Sequence, residues 1–136
     1  MGNEEETMPA ASQIRALIVD DQSSIRQILA NSLMQIGFAH IAQRKDGREA
    51  VEYLDQNPTH LVISDFNMPV MDGLALLRAV RGNPKTQKVA FIILTSEASR
   101  DLVQEAVKAG VNNFLAKPYT VAKLREVLEK VFGPIT

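Results

Sequence analysis

The chain has 136 residues, 46% of them apolar and 23% charged, with a formal net charge of -1 and no cysteine. A domain of this size buries most of its apolar surface unaided, and the composition excludes a disordered chain and argues against a nucleic-acid partner. Without cysteine there are no disulfides, thiolate metal sites or cysteine nucleophiles, which suits a cytoplasmic location, and no apolar run approaches the length of a membrane span.

Residues 1–14, "MGNEEETMPAASQI", are acidic, aperiodic and carry Pro9, so a flexible solvated tail is expected. Gly2 follows Met1, but Glu6 stands where an acylation motif has Ser or Thr, so no lipid anchor is expected. The short, partly β-branched run at 16–19 predicts a strand buried on both faces. Ile25, Ile28, Leu29, Leu33 and Ile36 then share one stripe of a first helix, which Gly37 stops. A weaker strand is predicted at 40–43. Asp46, with Glu49 three residues on, has the form of a capping box for a second helix carrying Ala50, Val51 and Leu54, and Asn57-Pro58 closes it.

The third strand is predicted at 61–64 and the third helix from Leu74, Leu77 and Val80, ending at Gly82. Asp72 is expected to cap that helix, with Gly73 in the turn and Met68 and Met71 packing the loop. A fourth strand at 90–95 precedes a helix carrying Leu102, Val103, Ala106 and Val107 up to Gly110. A fifth strand at 113–116 precedes a helix carrying Leu124, Val127, Leu128 and Val131 up to Gly133. Strict alternation of strand and helix demands a parallel sheet with right-handed crossovers and helices on both faces, an α/β doubly wound fold.

In such a sheet all strand C-termini lie on one edge, where ligands bind. The residues that follow the strands are Asp20 and Asp21, then Asp65, then Thr95 and Ser96, then Lys117. Two carboxylates about 4 Å apart repel by roughly 4 kcal/mol at an effective dielectric near 20, so something positive must sit among them. Lys117 offsets one charge, and a compact oxygen cluster is also the chemistry of Mg2+, which takes one or two carboxylates, waters and often a phosphoryl oxygen. A carboxylate nucleophile beside a metal, a hydroxyl and an ammonium makes a phosphoryl site. The chain has no GxxxxGK[ST] loop and no GxGxxG after its first strand, so no nucleotide cradle is indicated. His40 and His60 begin strands, away from this edge.

The segments "LIVDDQ", "VISDFNMPVMDG", "FIILTSEA" and "FLAKPYT", in this order and spacing, resemble the receiver domains of two-component response regulators. The resemblance spans residues 15–133, leaves no room for an output domain, and within the family is nearest the single-domain chemotaxis regulators. It implies a flavodoxin-like sheet of five parallel strands with five helices. It implies that Asp65 accepts a phosphoryl group from a phosphohistidine on a partner histidine kinase. Asp20 and Asp21, with Asp65 and the backbone carbonyl of Asn67, would hold Mg2+, while Thr95 and Lys117 would bind the phosphoryl oxygens. It also implies a cis bond between Lys117 and Pro118. Thr95 and Phe114 would form the switch, relayed to a protein-binding face made by 102–109, 111–115 and 119–131, with the flagellar motor switch as one expected target. The chemotaxis regulators typically carry tyrosine at the place of Phe114, and a plain core phenylalanine is the other reading there. Asn67 and Glu97 stand where the family tunes hydrolysis by positioning water, or are simply solvated loop residues.

Two other functions compete. A receiver that drains phosphoryl groups from a shared kinase, or serves signalling outside chemotaxis, has the same sequence features. A small Mg2+-dependent phosphatase with an aspartate nucleophile usually wants a second carboxylate two residues on, and Asn67 occupies that place.

Overall fold

A computed structural model of the chain describes residues 10–136. Five strands, β1 (Arg15–Val19), β2 (His40–Arg44), β3 (Leu61–Asp65), β4 (Ala90–Thr95) and β5 (Asn113–Ala116), alternate with five helices. The helices are α1 (Ser23–Ile36), α2 (Gly47–Gln56), α3 (Gly73–Arg81), α4 (Arg100–Ala109) and α5 (Val121–Phe132). All pairings are parallel in the spatial order β2-β1-β3-β4-β5, the doubly wound five-stranded sheet expected from the sequence. The direction of winding reverses beside β1 and β3, so a crevice opens above their C-terminal ends.

Every residue of β3 and β4 is buried, and alternate side chains serve two separate cores. Ile18, Ile63 and Ile92 pack with Leu33 of α1 and Leu128 of α5, whereas Leu17, Val62, Phe91 and Ile93 pack under α2, α3 and α4. Phe91 has no exposed surface, and truncating such a side chain to alanine costs about 3–5 kcal/mol. Ile28 and Val107, assigned to buried stripes by periodicity, are 55% and 62% exposed. Each sits one position from a buried neighbour, Leu29 or Ala106, so it falls at the solvent margin of its stripe.

Side-chain caps set the helix starts. Asp46, Asp72, Ser99 and Thr120 accept from the backbone N–H of Glu49, Ala75, Leu102 and Lys123, satisfying donors left over in each first turn. At α2 only half of the expected capping box forms, because the Glu49 carboxylate turns to Lys45 Nζ at 3.7 Å. Gly110 ends α4 in the left-handed region at φ 94°, where a Cβ would be strained.

The Arg81 guanidinium knits the α3 terminus to the turn before β5. It donates to the carbonyl oxygens of Val89 at 2.6 Å, Gln87 at 3.1 Å and Gly110 at 2.9 and 3.0 Å, and to Asn112 Oδ1 at 2.9 Å. No carboxylate among the described residues pairs with it, and burial lowers its pKa.

Part of the stretch 1–14, expected as a tail, is folded. Residues 1–9 lie outside the described residues, but Ala11–Gln13 form a short 3-10 turn, and Ala11 and Ile14 are buried at 0% and 3% exposure. The Ala11 N–H donates to Thr136 O at 3.1 Å, and Ile135, beyond the expected end of the domain at 133, is 4% exposed. Ala11, Ile14 and Ile135 cover the core around Leu33 and Phe38, which joins residues 11–14 and 135–136 to the folded unit.

Candidate functional site

The crevice gathers the predicted acids. Asp20 and Asp21 follow β1, Asp65 ends β3, and one carboxylate oxygen from each lies within 4.8 Å of the others. Asp20 and Asp65 are buried, at 3% and 7% exposure, while Asp21 faces solvent. Lys117, just past β5, puts Nζ 2.7 Å from Asp65 Oδ1 and 3.9 Å from Asp20 Oδ2. The Lys117–Pro118 bond is cis, as the resemblance implied.

Asp20 Oδ1 accepts the Gln22 N–H at 2.9 Å, but Asp20 Oδ2 is buried without a hydrogen-bond partner. Desolvation raises the Asp20 pKa, and repulsion from Asp65 and Asp21 raises it further, against the opposing Gln22 N–H and Lys117. An unpartnered buried carboxylate oxygen is costly unless a cation or proton meets it. Three carboxylates facing one ammonium leave a net negative, all-oxygen donor set, which fits Mg2+.

Of three residues that fix this geometry, Arg26 and Val70 were not singled out by the sequence, and Gly73 was assigned only to a turn. Arg26 Nη1 donates to the Asp20 carbonyl oxygen at 2.7 Å and its Nε to Gln43 Oε1 at 3.3 Å, clamping the β1–α1 turn to β2. Gly73 lets α3 start against the strand: a Cβ there would stand 2.7 Å from the Asp65 carbonyl oxygen and 3.0 Å from Phe66 Cα. Val70 takes φ 71° in the loop between them, where Met71 N–H reaches back to Pro69 O at 2.8 Å, a strained three-residue turn for a β-branched residue. Only an i, i+6 spacing from Asp20 marks Arg26 in the sequence, which is too common a pattern to point anywhere.

Thr95 is 3% exposed, and its hydroxyl is engaged with the following loop, accepting the Glu97 N–H and donating to the Glu97 carbonyl oxygen, both at 3.2 Å. Thr95 pairs with Ala116 and Ile93 with Phe114, so Thr95 and Phe114 are diagonal neighbours on one face of the sheet. Phe114 is half-buried against the core beneath α4. Asn67 is exposed and, with Thr95 and Glu97, lines a groove beside the acidic cluster. His40 pairs with Arg15 and His60 Nδ1 accepts the Arg15 N–H at 3.0 Å, which places both histidines at the opposite sheet edge. Met68 is 8% exposed and packs in the core under α3, and Met71 lies against it.

A doubly wound parallel sheet with three aspartates and a lysine at its carboxyl edge defines a phosphoryl-signalling domain. The response regulator receiver domain profile matches residues 16–129, and the chain belongs to that family. Over 128 residues it is 50% identical to the probable chemotaxis protein CheY of Rhizobium etli, covering 94% of this chain and 99% of that protein. Among solved structures it is similar to the BeF3-activated response regulator CheY2-Mg2+ of Sinorhizobium meliloti, with 54% identity, TM-score 0.71 and coverage of 93% of this chain and 98% of that one. The Vibrio cholerae chemotaxis protein CheY4 superimposes with TM-score 0.82 at 34% identity, covering 87% and 98%. The chain is thus a CheY-like signalling domain. Receiver domains take phosphoryl groups from histidine kinases, act on downstream proteins, and bind Mg2+ in an acidic aspartate pocket such as this one. No helix among the described residues is long and apolar enough to cross a membrane.

Proposed function

We propose that this protein is a single-domain chemotaxis response regulator, located in the cytoplasm, whose Asp65 is phosphorylated by a histidine kinase. The carrying observation is the 2.7 Å contact between Lys117 Nζ and Asp65 Oδ1 beside the unpartnered Asp20 Oδ2. Asp65 is thereby held at the crevice mouth with a cation on one side and a site for a second on the other. Asp20, Asp21 and Asp65, with the Asn67 carbonyl, are the residues to hold Mg2+, which when bound neutralises charge developing on phosphoryl oxygens.

The Asp65 carboxylate attacks the phosphorus of the donor phosphohistidine; the new O–P bond forms as the P–N bond breaks and the imidazole departs. Lys117 holds one phosphoryl oxygen. The Thr95 hydroxyl leaves Glu97 to donate to another, and Phe114 moves into the space this opens, reshaping the face made by α4, β5 and α5 for a downstream protein, the flagellar motor switch being the target in view. Reversal is hydrolysis, with water attacking phosphorus and Asp65 leaving. Asn67 and Glu97 flank that approach and set its rate. Residues 15–133 carry all of these groups.

Intact mass after incubation with Mg2+ and acetyl phosphate tests the proposal: a phosphoryl adduct on the wild type and none on Asp65→Asn is the expected result. An adduct on both, or on neither, removes Asp65 from its role. Unchanged phosphoryl lifetimes in Asn67→Met and Glu97→Ala would remove the tuning pair.

A further inference from the structure

A groove of about 360 Å3 runs between α3 and α4, within the range of roughly 300–1,000 Å3 typical of ligand clefts. Its floor is apolar, made by Phe66, Leu74 and the buried Leu102. Its rim carries the carboxylates of Glu97, Asp101 and Glu105, and no lysine or arginine lines it. Glu105 is bound by Arg78 at 3.0 Å, whereas Glu97 and Asp101 form no ion pair among the described residues. Apolar floor and acidic rim together select a side chain with an aliphatic stem and a cationic head, flanked by an apolar neighbour. An acidic or purely apolar segment would leave the rim charges desolvated and unanswered.

The groove also touches the phosphoryl chemistry. Thr95 lines it, and its Oγ1, donating to the Glu97 carbonyl oxygen and accepting the Glu97 N–H, both at 3.2 Å, holds the loop that carries the Glu97 carboxylate. Withdrawing the Thr95 hydroxyl releases that loop and moves one side of the rim.

We propose that the α3–α4 groove docks a basic, apolar segment of a partner protein, an arginine beside a leucine, and that the Thr95–Glu97 hydrogen bonds set its affinity according to the state of Asp65. The second half rests on Asp65 being the phospho-acceptor.

The test uses the full chain, isotopically labelled, and a short amidated peptide alternating leucine and arginine, with a glutamate-for-arginine peptide as control. Amide chemical shifts should move at Phe66, Leu74, Leu102 and Glu105 with the basic peptide and stay put with the acidic one. Asp101→Lys should weaken the basic peptide about threefold to tenfold, as expected for an exposed ion pair turned repulsive, and Leu74→Gln should weaken it independently. Shifts centred on α5 or scattered over the surface, or equal binding of both peptides, overturn the docking site. Mg2+ with beryllofluoride, and separately Thr95→Val without either, should each change the affinity. If peptide still maps to the groove with one affinity in all three conditions while acetyl phosphate labels Asp65, the coupling is wrong and the phospho-acceptor stands. If acetyl phosphate leaves no adduct on Asp65, it is the phospho-acceptor that fails, and the groove stands or falls on the mapped shifts.

Discussion

The Lys117 ammonium lies 2.7 Å from Asp65 Oδ1 but 3.9 Å from Asp20 Oδ2, so one cation fully answers one buried carboxylate and only partly answers the other. The metal-free site is therefore electrostatically incomplete, and most consequences for stability follow from that imbalance.

Replacing Asp20 by asparagine removes the uncompensated charge while keeping an oxygen for the Gln22 N–H. Metal-free Asp20→Asn should be more stable than wild type by about 1–2 kcal/mol, the scale of an unsatisfied buried group, and should lose most of its stabilisation by Mg2+. Urea melts with EDTA and with Mg2+ check both signs. A destabilised variant would mean that Asp20 is satisfied without metal.

Lys117→Met takes away an ammonium that lies between two buried acids. The metal-free protein should lose about 2 kcal/mol, below the roughly 3–5 kcal/mol of a fully buried broken pair because Lys117 keeps partial solvent contact. Mg2+ should recover part of the loss in thermal melts, and no recovery would place the metal elsewhere.

Stability should depend on pH through Asp20, whose folded pKa lies above its ordinary 3.8. An acid with a raised folded pKa binds more protons folded than unfolded between the two values. Its contribution is complete below the ordinary value and is lost as pH rises through the higher folded value. Denaturant midpoints of metal-free protein across the acid range should fall with this component as pH rises, and saturating Mg2+ should abolish it. The same slope in Asp20→Asn would assign it to another group.

Arg26 should act on the metal without touching it. Arg26→Met frees the Asp20 carbonyl and Gln43, and Mg2+ affinity should fall about tenfold, the low end of the 10–100-fold typical of groups that orient metal ligands. Titration calorimetry, alongside a melt showing an intact fold, distinguishes a positioning role from general destabilisation. Unchanged affinity would make the clamp purely structural.

Gly73→Ala should cost about 1–3 kcal/mol, because the new Cβ meets backbone at Asp65 and Phe66 with no flexible side chain to yield. The loop bearing Val70 is already strained, so relief must come from moving Asp65. Slower labelling by acetyl phosphate should accompany the lower denaturation midpoint, and normal labelling would show that β3 does not shift.

The sequence by itself determined the alternation of strands and helices, and with it the edge where Asp20, Asp21, Asp65, Thr95 and Lys117 meet. The buried parallel strands β1, β3 and β4 leave unbroken apolar runs, and each of these runs ends at residues of the site, so periodicity and punctuation were enough. Tertiary structure alone decided which partners these groups take: that Lys117 sides with Asp65, that Asp20 keeps an unanswered oxygen, that Arg26 clamps the turn, and that Thr95 faces Glu97. It also decided that Ala11, Ile14 and Ile135 belong to the core while Ile28 and Val107 do not. A local pattern records which way a side chain leaves its own helix or strand; whether another element stands there to cover it depends on packing between segments far apart in the chain.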